Sequence, residues 1–318
     1  MGQVEAARLI GELEPIVVDI ALRYGVPERD LRPRALLSAY ARFNSSGPGS
    51  MDSLRVAIND EAVKLSQTLG DFYARYPRPS RTPSARELSC RSLSREEVRC
   101  IFGGLHYLRR IPGEVETLAG VDPEADIPVV AVAYGRSRWG KLRTTVRRAL
   151  KMPRVQVVDV ARVYSFDSTP RNSASWILSR LLARVRAQSP NVRILSTVVD
   201  TSFGFTGASY RSAGWDHLAT ANSRPYTYVD GEYVTLGELK EKYGTSDIGT
   251  LRNLLRDRFV VSDPLLQGPS LVFGRSTQRG LSETPQVKTI ARYWTGDSHL
   301  DEGSNMIEGE QHDHRADQ

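Results

Sequence analysis

Three long apolar segments in the middle of the chain constrain its fold more than any other feature. They are IPVVAVAYG at 127–135, VQVVDVARVYSF at 155–166 and VRILSTVVD at 192–200. Apolar runs of this length that are rich in β-branched residues are typical of buried strands. Residues 173–188, between the last two runs, have apolar side chains at helical spacing, which indicates an amphipathic helix. The sequence therefore predicts a mixed α/β sheet with flanking helices.

Outside this centre, the pattern predicts helices at both ends and several short elements. Apolar residues recur at helical spacing through the first 76 residues, and the Pro-, Ser- and Arg-rich stretch that follows is typical of a linker. Residues 98–110 favour a strand or a strand followed by a turn, and 205–214 favour a short helix. We expect five regions: a helical extension at 1–76, a linker at 77–97, an α/β catalytic domain at 98–235, a helical hairpin with an extension at 236–295 and an acidic tail at 296–318.

Charge is distributed unevenly along the chain. Lys and Arg number 43 against 37 Asp and Glu, for a net charge of +6, yet residues 297–318 hold seven acids and one Arg. This tail has no aromatic residue and too little apolar surface to fold, so we expect it to be disordered. In contrast, residues 136–193 hold fourteen Lys and Arg against only Asp159 and Asp167. That segment favours a polyanionic partner, and the alternative is a set of solvated helix faces.

Several classes of protein are excluded by what the sequence lacks. No apolar run approaches the roughly 20 residues of a membrane helix, and the N-terminus has no signal-peptide pattern. Cys90 and Cys100 cannot form a disulfide framework, so we expect a cytoplasmic protein. The sequence contains no phosphate-loop motif and no GxGxxG, HExxH, CxxC or GxSxG motif.

The segment STPRNSAS, which joins the second apolar run to the amphipathic helix, is one candidate binding site. The first N–H groups of a helix have no partner within the helix, and an anion bound there satisfies them. Ser173 and Ser175 suit the same ligand, and Arg162 and Arg171 add charge-assisted contacts. The alternative is an ordinary helix cap made by Asn172 or Ser173.

A second candidate site follows the third apolar run. Asp200 ends that run, a turn containing glycine follows, and Tyr210 lies on the next short helix. A carboxylate there suits removal of a proton from an amine nucleophile, and the phenol suits donation of a proton to a leaving thiolate. The alternatives are that Asp200 caps the helix and that Tyr210 packs beneath the sheet. His106, beside Tyr107, belongs either to such a site or to the core, where a lone strand histidine is more often found.

Residues 236–258 have the spacing of two helices joined by a turn. This pattern predicts either a helix pair that binds nucleic acid or a lid that packs on the sheet.

Together, these segments resemble the GNAT acyltransferases and, more narrowly, the Mom family of phage proteins. The resemblance spans roughly 98–235 and lies in the order of strand, PRNSxS loop, long helix, strand ending in Asp, and GxxGxxYxxxGW segment. The residues that carry it are Gly104-Leu105-His106-Tyr107, Arg162, Pro170-Arg171-Asn172-Ser173 with Ser175, Asp200, Gly207, Tyr210 and Gly214-Trp215. The pyrophosphate-binding signature of acetyl-CoA users is missing, and TPRNSAS stands in its place.

The resemblance implies an activity and a set of functional residues. Mom-like proteins add a carbamoylmethyl group to the exocyclic amine of adenine in DNA, which shields phage DNA from restriction. By this resemblance, the catalytic residues are Asp200, Tyr210, Arg162 and Ser175. An acyl-CoA such as acetyl-CoA would be held by Ser168, Arg171, Asn172 and Ser173. Iron would be held by His106, Tyr107, Asp200 and Tyr210, a hard, oxygen-rich set of ligands. Double-stranded DNA would contact Arg138, Lys141, Arg143, Arg147 and Arg148.

Three functions follow from these observations. The first is modification of adenine in DNA, for which the base must leave the duplex stack. The second is a GNAT-type N-acetyltransferase that uses an acyl-CoA on a protein or small-molecule amine. The third is a DNA-binding protein without catalysis that uses the helix pair at 236–258.

Overall fold

A seven-stranded sheet in the order β1-β2-β3-β4-β5-β10-β6 forms the centre of the protein. The computed structural model describes residues 2–42, 51–78, 81–137, 139–222, 225–263, 267–278 and 290. The strands of this sheet are β1 Ser89–Arg91, β2 Glu116–Asp122, β3 Ile127–Arg136, β4 Gln156–Ser165, β5 Val192–Asp200, β6 Asp216–Ala221 and β10 Ser270–Ser276. Neighbouring strands are antiparallel, except that β4 and β5 are parallel. The predicted mixed α/β class is confirmed.

Helices cover both faces of this sheet. An N-terminal bundle packs on one face, where α5 also lies, and α6 packs on the other face. The helices are α1 Gly2–Tyr24, α2 Glu28–Arg42, α3 Met51–Arg75, α4 Arg95–Val98, α5 Gly140–Leu150, α6 Ser173–Gln188, α7 Ala208–Ser212, α8 Leu236–Tyr243 and α9 Ile248–Leu255. Within the described ranges, none of them is long and apolar enough to span a membrane.

The two parallel strands at the centre of the sheet part before they end. Pairing of β4 with β5 stops at Asp159 and Ser196, although both strands continue, to Ser165 and Asp200. At the point of separation, the Thr197 hydroxyl donates a hydrogen bond to the Val160 carbonyl at 3.0 Å. The strands therefore leave a wedge-shaped opening inside the sheet.

A second, small sheet holds the helix pair. Its order is β8-β7-β9, with β7 Thr227–Val229, β8 Glu232–Val234 and β9 Phe259–Val261. Leu239 of α8 and Leu251 of α9 are fully buried in one cluster with Phe259. The helix pair expected at 236–258 thus packs on this small sheet.

The structure corrects two expectations about the chain. Residues 98–110 do not form a strand: a capping box between Ser94 and Glu97 starts α4, and a π-helical turn, Arg99–Leu105, continues it. The α/β domain also extends past the range 98–235, because β1 lies within the expected linker and β10 lies between β5 and β6. Local sequence patterns carry no information about this insertion of β10. The acidic tail expected at 296–318 lies outside the described residues.

The N-terminal bundle is joined to the sheet by buried hydrogen bonds. The Tyr40 hydroxyl donates to the Ser202 carbonyl at 2.9 Å, and the Tyr228 hydroxyl donates to the Leu37 carbonyl at 2.8 Å. Arg34, with a side chain that is 1% exposed, donates to the Leu105 carbonyl at 2.8 Å and pairs with Glu61 of α3 at 3.6 Å. The bundle is therefore a continuous part of the core.

We expect Glu61→Gln to lower the free energy of unfolding by about 3 kcal/mol, because removal of one partner leaves the Arg34 guanidinium buried with its charge uncompensated. Urea denaturation measures this change. The matched control is Asp19→Asn, which breaks the exposed pair with Arg23 and should cost less than about 1 kcal/mol. Equal effects of the two substitutions would contradict a structural role for the buried pair.

Candidate active site

A cavity of about 520 Å³ opens where β4 and β5 separate. Its walls come from the ends of both strands, the loop before α7, the start of α6 and one turn of α2. Five residues singled out from the sequence line it together: His106, Tyr107, Arg162, Asp200 and Tyr210. The fold thus brings together in one cavity side chains that lie about 100 positions apart in the sequence.

Arg162 of β4 places a positive charge in this cavity. Its Nη1 donates to the Ala161 carbonyl at 2.6 Å, and its buried Nε has no hydrogen-bond partner in the described part of the chain. Burial lowers the pKa of Arg162. The ionisable groups that act electrostatically against this lowering of the Arg162 pKa are the hydroxyls of Tyr107, Tyr233 and Tyr210, rather than carboxylates. A buried cation in such surroundings attracts an anionic or strongly polar group of a ligand.

Asp200 has both of its carboxylate oxygens in hydrogen bonds. Oδ1 accepts from the Ser202 N–H at 2.9 Å, which caps the short 3₁₀ turn at Thr201–Phe203. Oδ2 accepts from the Tyr226 hydroxyl. Asp200 therefore caps this 3₁₀ turn, not the short helix α7 as one alternative expected, and it also lines the cavity.

Tyr210 of α7 packs beneath the sheet and reaches the cavity with its hydroxyl. Its ring stacks on Phe273 and lies edge-on to Trp215, with centroid distances of 6.0 Å and 5.3 Å. Because the single Thr197 proton goes to the Val160 carbonyl, the Tyr210 hydroxyl donates to the Thr197 oxygen, at 3.3 Å. Burial raises the pKa of Tyr210, so its proton is retained at neutral pH.

The residues expected to hold iron line one cavity, but they do not fit a metal ion. His106 accepts a hydrogen bond from the Leu108 N–H at Nδ1, at 3.3 Å, so its proton lies on Nε2 and neither ring nitrogen offers a free lone pair. Burial holds the pKa of Tyr107 above its usual range, and the Arg162 guanidinium lies beside both residues. Among the described residues, no group of three or more His, Cys, Asp or Glu is arranged around a metal position.

The expected donor loop borders the cavity through the start of α6. Ala174 and Leu178 line the cavity, whereas the expected binding residues Ser168, Arg171, Asn172 and Ser173, and the expected catalytic Ser175, are not among the lining residues. The Ser173 and Ser175 hydroxyls donate to carbonyls of the preceding turn, and Asn172, at a φ of +66°, makes no side-chain cap. The ordinary cap expected as the alternative is therefore formed by neither Asn172 nor Ser173. The Ser173 N–H donates to the Pro170 carbonyl at 3.2 Å, and the N–H groups that follow it in the first turn of α6 suit a ligand or water.

Sequence reasoning missed the groups that α2 and Tyr226, the residue before β7, add to the site. Tyr226 binds Asp200 and stacks on Tyr40, with ring centroids 5.5 Å apart. Arg29 and Asp30 of α2 line the cavity directly. No local signal marked them, because their role depends on long-range packing of the bundle against the sheet.

The basic helix α5 lies toward the other end of β4 and β5. Leu142 and Val146 of α5 are buried in one cluster with Val157 and Ile194, near the start of these strands. Val157 is about 26 Å from Ser165, the end of β4, at roughly 3.3 Å per residue. Of the residues expected to bind DNA, α5 carries Lys141, Arg143, Arg147 and Arg148, and Arg138 lies outside the described residues.

A mixed sheet that opens around a polar cavity places the protein among α/β proteins with a site inside the sheet. Solved structures similar to it include Arabidopsis thaliana NAA60 in complex with acetyl-CoA, at 8% identity over 59% of this chain and 98% of that chain, with a TM-score of 0.37. Another is the spermidine/spermine N-acetyltransferase SpeG from Vibrio cholerae, at 8% identity over 61% of this chain and 94% of that chain, with a TM-score of 0.33.

The family assignment rests on sequence. The model of the Mom protein family matches residues 87–262, more than half of the chain, and the chain belongs to this family. The methylcarbamoylase mom of Escherichia phage Mu is 25% identical over 162 residues, which cover 49% of this chain and 64% of that protein. The match thus spans less than two thirds of the curated relative. The resemblance found in the sequence is confirmed.

We expect Gly207→Ala to destabilise the protein more than Gly204→Ala. Both glycines have a φ above +70°, which costs an L-residue about 1–2 kcal/mol. A Cβ at Gly207 would also overlap the buried Phe273 ring that supports Tyr210, whereas a Cβ at Gly204 meets nothing within 4 Å. Overpacking adds about 1–3 kcal/mol, so thermal unfolding should separate the two variants by that amount. Equal stabilities would contradict the close packing beneath Tyr210.

Proposed function

We propose that this protein is a transferase that adds a small acyl or carbamoylmethyl-type group to the exocyclic amine of adenine in DNA. The observation that carries the proposal is Arg162, a half-buried side chain whose buried Nε has no hydrogen-bond partner in the described part of the chain and which lies near phenols where two parallel strands part. Membership of the Mom family supports transfer to DNA. A product of this kind would protect the DNA from restriction enzymes.

An acyl-CoA fits the α6 side of the cavity as the donor. The N-terminal N–H groups of this 16-residue helix, with Arg171 beside them, suit its phosphates. The unpaired edge of β4 beyond Asp159 offers backbone groups to an extended chain. When bound, an acyl-CoA supplies an activated carbonyl carbon with a thiolate leaving group.

Arg162 supplies the positive charge, and Tyr210 the proton, that such a transfer requires. The Arg162 guanidinium stabilises negative charge on the carbonyl oxygen as the amine attacks. The Tyr210 hydroxyl, which keeps its proton because it is buried, donates it to the leaving sulfur. Asp200 holds Tyr226 and the turn that leads to α7, and thereby sets the position of the Tyr210 helix.

DNA binding along α5 brings the duplex to the cavity. Along β4, Val157 beside α5 is about 17 Å from Arg162 in the cavity, at roughly 3.3 Å per residue. This distance corresponds to about five base pairs, at 3.4 Å per nucleotide along a strand. The target adenine leaves the stack to reach the cavity, since its amino group is not accessible inside the duplex.

We expect Asp200→Asn to abolish modification and to leave the fold intact, because the amide nitrogen cannot accept the hydrogen bond from Tyr226, while the remaining oxygen still accepts from the Ser202 N–H. The measurement is mass spectrometry of nucleosides from DNA of cells that express the protein. Wild-type protein should yield a new adenine derivative, and circular dichroism should show an unchanged fold for the variant. Normal modification by Asp200→Asn would refute this site. Acetylated small amines without any modified adenine would favour an ordinary N-acetyltransferase.

We expect the double variant Arg147→Gln, Arg148→Gln to bind duplex DNA with a weaker dependence on salt. Each lost phosphate contact lowers the slope of log affinity against log salt by about 1. Fluorescence anisotropy over a series of salt concentrations measures the slope. The matched control is Arg23→Gln, Arg55→Gln, which makes the same change in net charge on the N-terminal bundle. Identical slopes for the two double variants would place the DNA elsewhere than on α5.

A further inference from the structure

Two carboxylates line the cavity, and their surroundings differ. Asp200 already accepts hydrogen bonds at both oxygens. Asp30 accepts one at Oδ2, from the Tyr164 hydroxyl at 2.9 Å. In the described part of the chain no hydrogen bond reaches its Oδ1, and the Nε of Arg29 is 4.0 Å away. Asp30 therefore has a carboxylate oxygen available to a ligand.

Two of the helices that line the cavity, α6 and α2, approach it from opposite faces of the sheet. Ala174 and Leu178 of α6 lie on the face where the acyl donor is proposed to bind. Asp30, on α2, lies on the opposite face, where the N-terminal bundle packs. An amine that approaches the acyl carbon from the face of the N-terminal bundle, opposite the α6 face, would contact Asp30.

We propose that Asp30 is the general base of the transfer and that it takes the proton of the attacking amine. This inference rests on the proposed amine transfer and names a residue outside the 87–262 range of the family match. Asp30 accepts the proton that the nitrogen gives up as the new nitrogen–carbon bond forms. Tyr210 returns a proton to the sulfur, which keeps the electron pair of the broken carbon–sulfur bond. Asp30 then releases its proton to water, since its side chain is 11% exposed, and Tyr210 regains a proton from water when the products leave the cavity.

The groups around Asp30 set the pKa of its carboxyl in a range that suits a general base. Burial raises the pKa of Asp30 to about 6, whereas Arg29, Arg34 and the hydrogen bond from Tyr164 act to lower it and Asp167 to raise it. A carboxylate with a pKa near neutrality is a stronger base than an exposed one and is still ionised at pH 7. Arg29 also donates to the Ser165 carbonyl at 2.8 Å and pairs with Asp167 at 3.0 Å, which holds the end of β4 against α2.

The first experiment is a pH profile of kcat/KM with acetyl-CoA as the donor and an adenine-containing duplex as the acceptor. For the wild type, we expect kcat/KM to rise with pH up to about 6 and then to level off, because the base must be ionised. Asp30→Asn should lower the plateau on the order of 100-fold and remove the rising limb. Asp19→Asn, the same substitution at an exposed site of the bundle, should change neither.

Tyr164→Phe separates catalysis from a structural role. It removes the hydrogen bond that lowers the pKa of Asp30, so the rising limb should persist but move to higher pH. Carbon-13 NMR of the Asp30 carboxyl should show the same shift without any substrate. If Asp30 only positions Tyr164, then Asp30→Asn and Tyr164→Phe will lower the rate equally and both will keep the wild-type limb, which overturns the proposal.

Two further measurements, of acetyl-CoA binding and of transfer to other amines, distinguish the remaining outcomes. Calorimetry should give the same Kd for acetyl-CoA in the wild type and Asp30→Asn, and a parallel loss of affinity would make Asp30 a binding residue instead. Spermidine and a lysine peptide serve as further acceptors. Acetylation of these amines without modification of DNA, with a rising limb in the pH profile that Asp30→Asn removes, is one outcome. That result would support Asp30 as the base and refute the DNA function. If the wild type transfers to no amine, both fall.

Discussion

The separation of β4 and β5 after Asp159 and Ser196 is the constraint on which the rest of the structure depends. Inside a sheet, strands that part leave backbone groups without partners, and these must be satisfied by side chains, ligands or water. Thr197 satisfies the first of them through the Val160 carbonyl. Beyond that point the unpaired ends of the strands border a polar cavity, so the site exists because the sheet is incomplete there.

The cavity keeps charged groups in a largely aromatic shell. Tyr107, Phe203 and Phe205 pack on one another around it, and Tyr226 stacks on Tyr40. Burial lowers the pKa of Arg162, which stays a cation at neutral pH, and raises that of Asp30 to about 6, so the protonation of Asp30 responds to the charge of a ligand. Burial of these groups is costly, and the packing of the bundle against the sheet offsets that cost.

The N-terminal bundle is therefore more than an extension of the α/β domain. It lies before residues 87–262, which match the family model, yet α2 supplies one wall of the cavity. Contacts of Asp30 with Tyr164 and of Arg29 with Asp167 join α2 to the end of β4 and to the turn before α6. Changes in the bundle are thus transmitted directly to the site.

The central elements can be predicted from local patterns in the sequence. The apolar runs correspond to β3, β4 and β5 within one or two residues, and the helical pattern at 173–188 is α6. Motif residues such as Arg162, Asp200 and Tyr210 were also found from sequence, and all line the cavity. Only the tertiary structure decided that β10 enters the sheet beside β5 and that Asp30 meets Tyr164, 134 positions later. Such contacts arise when separate elements pack together, and the spacing of residues within one element does not record them.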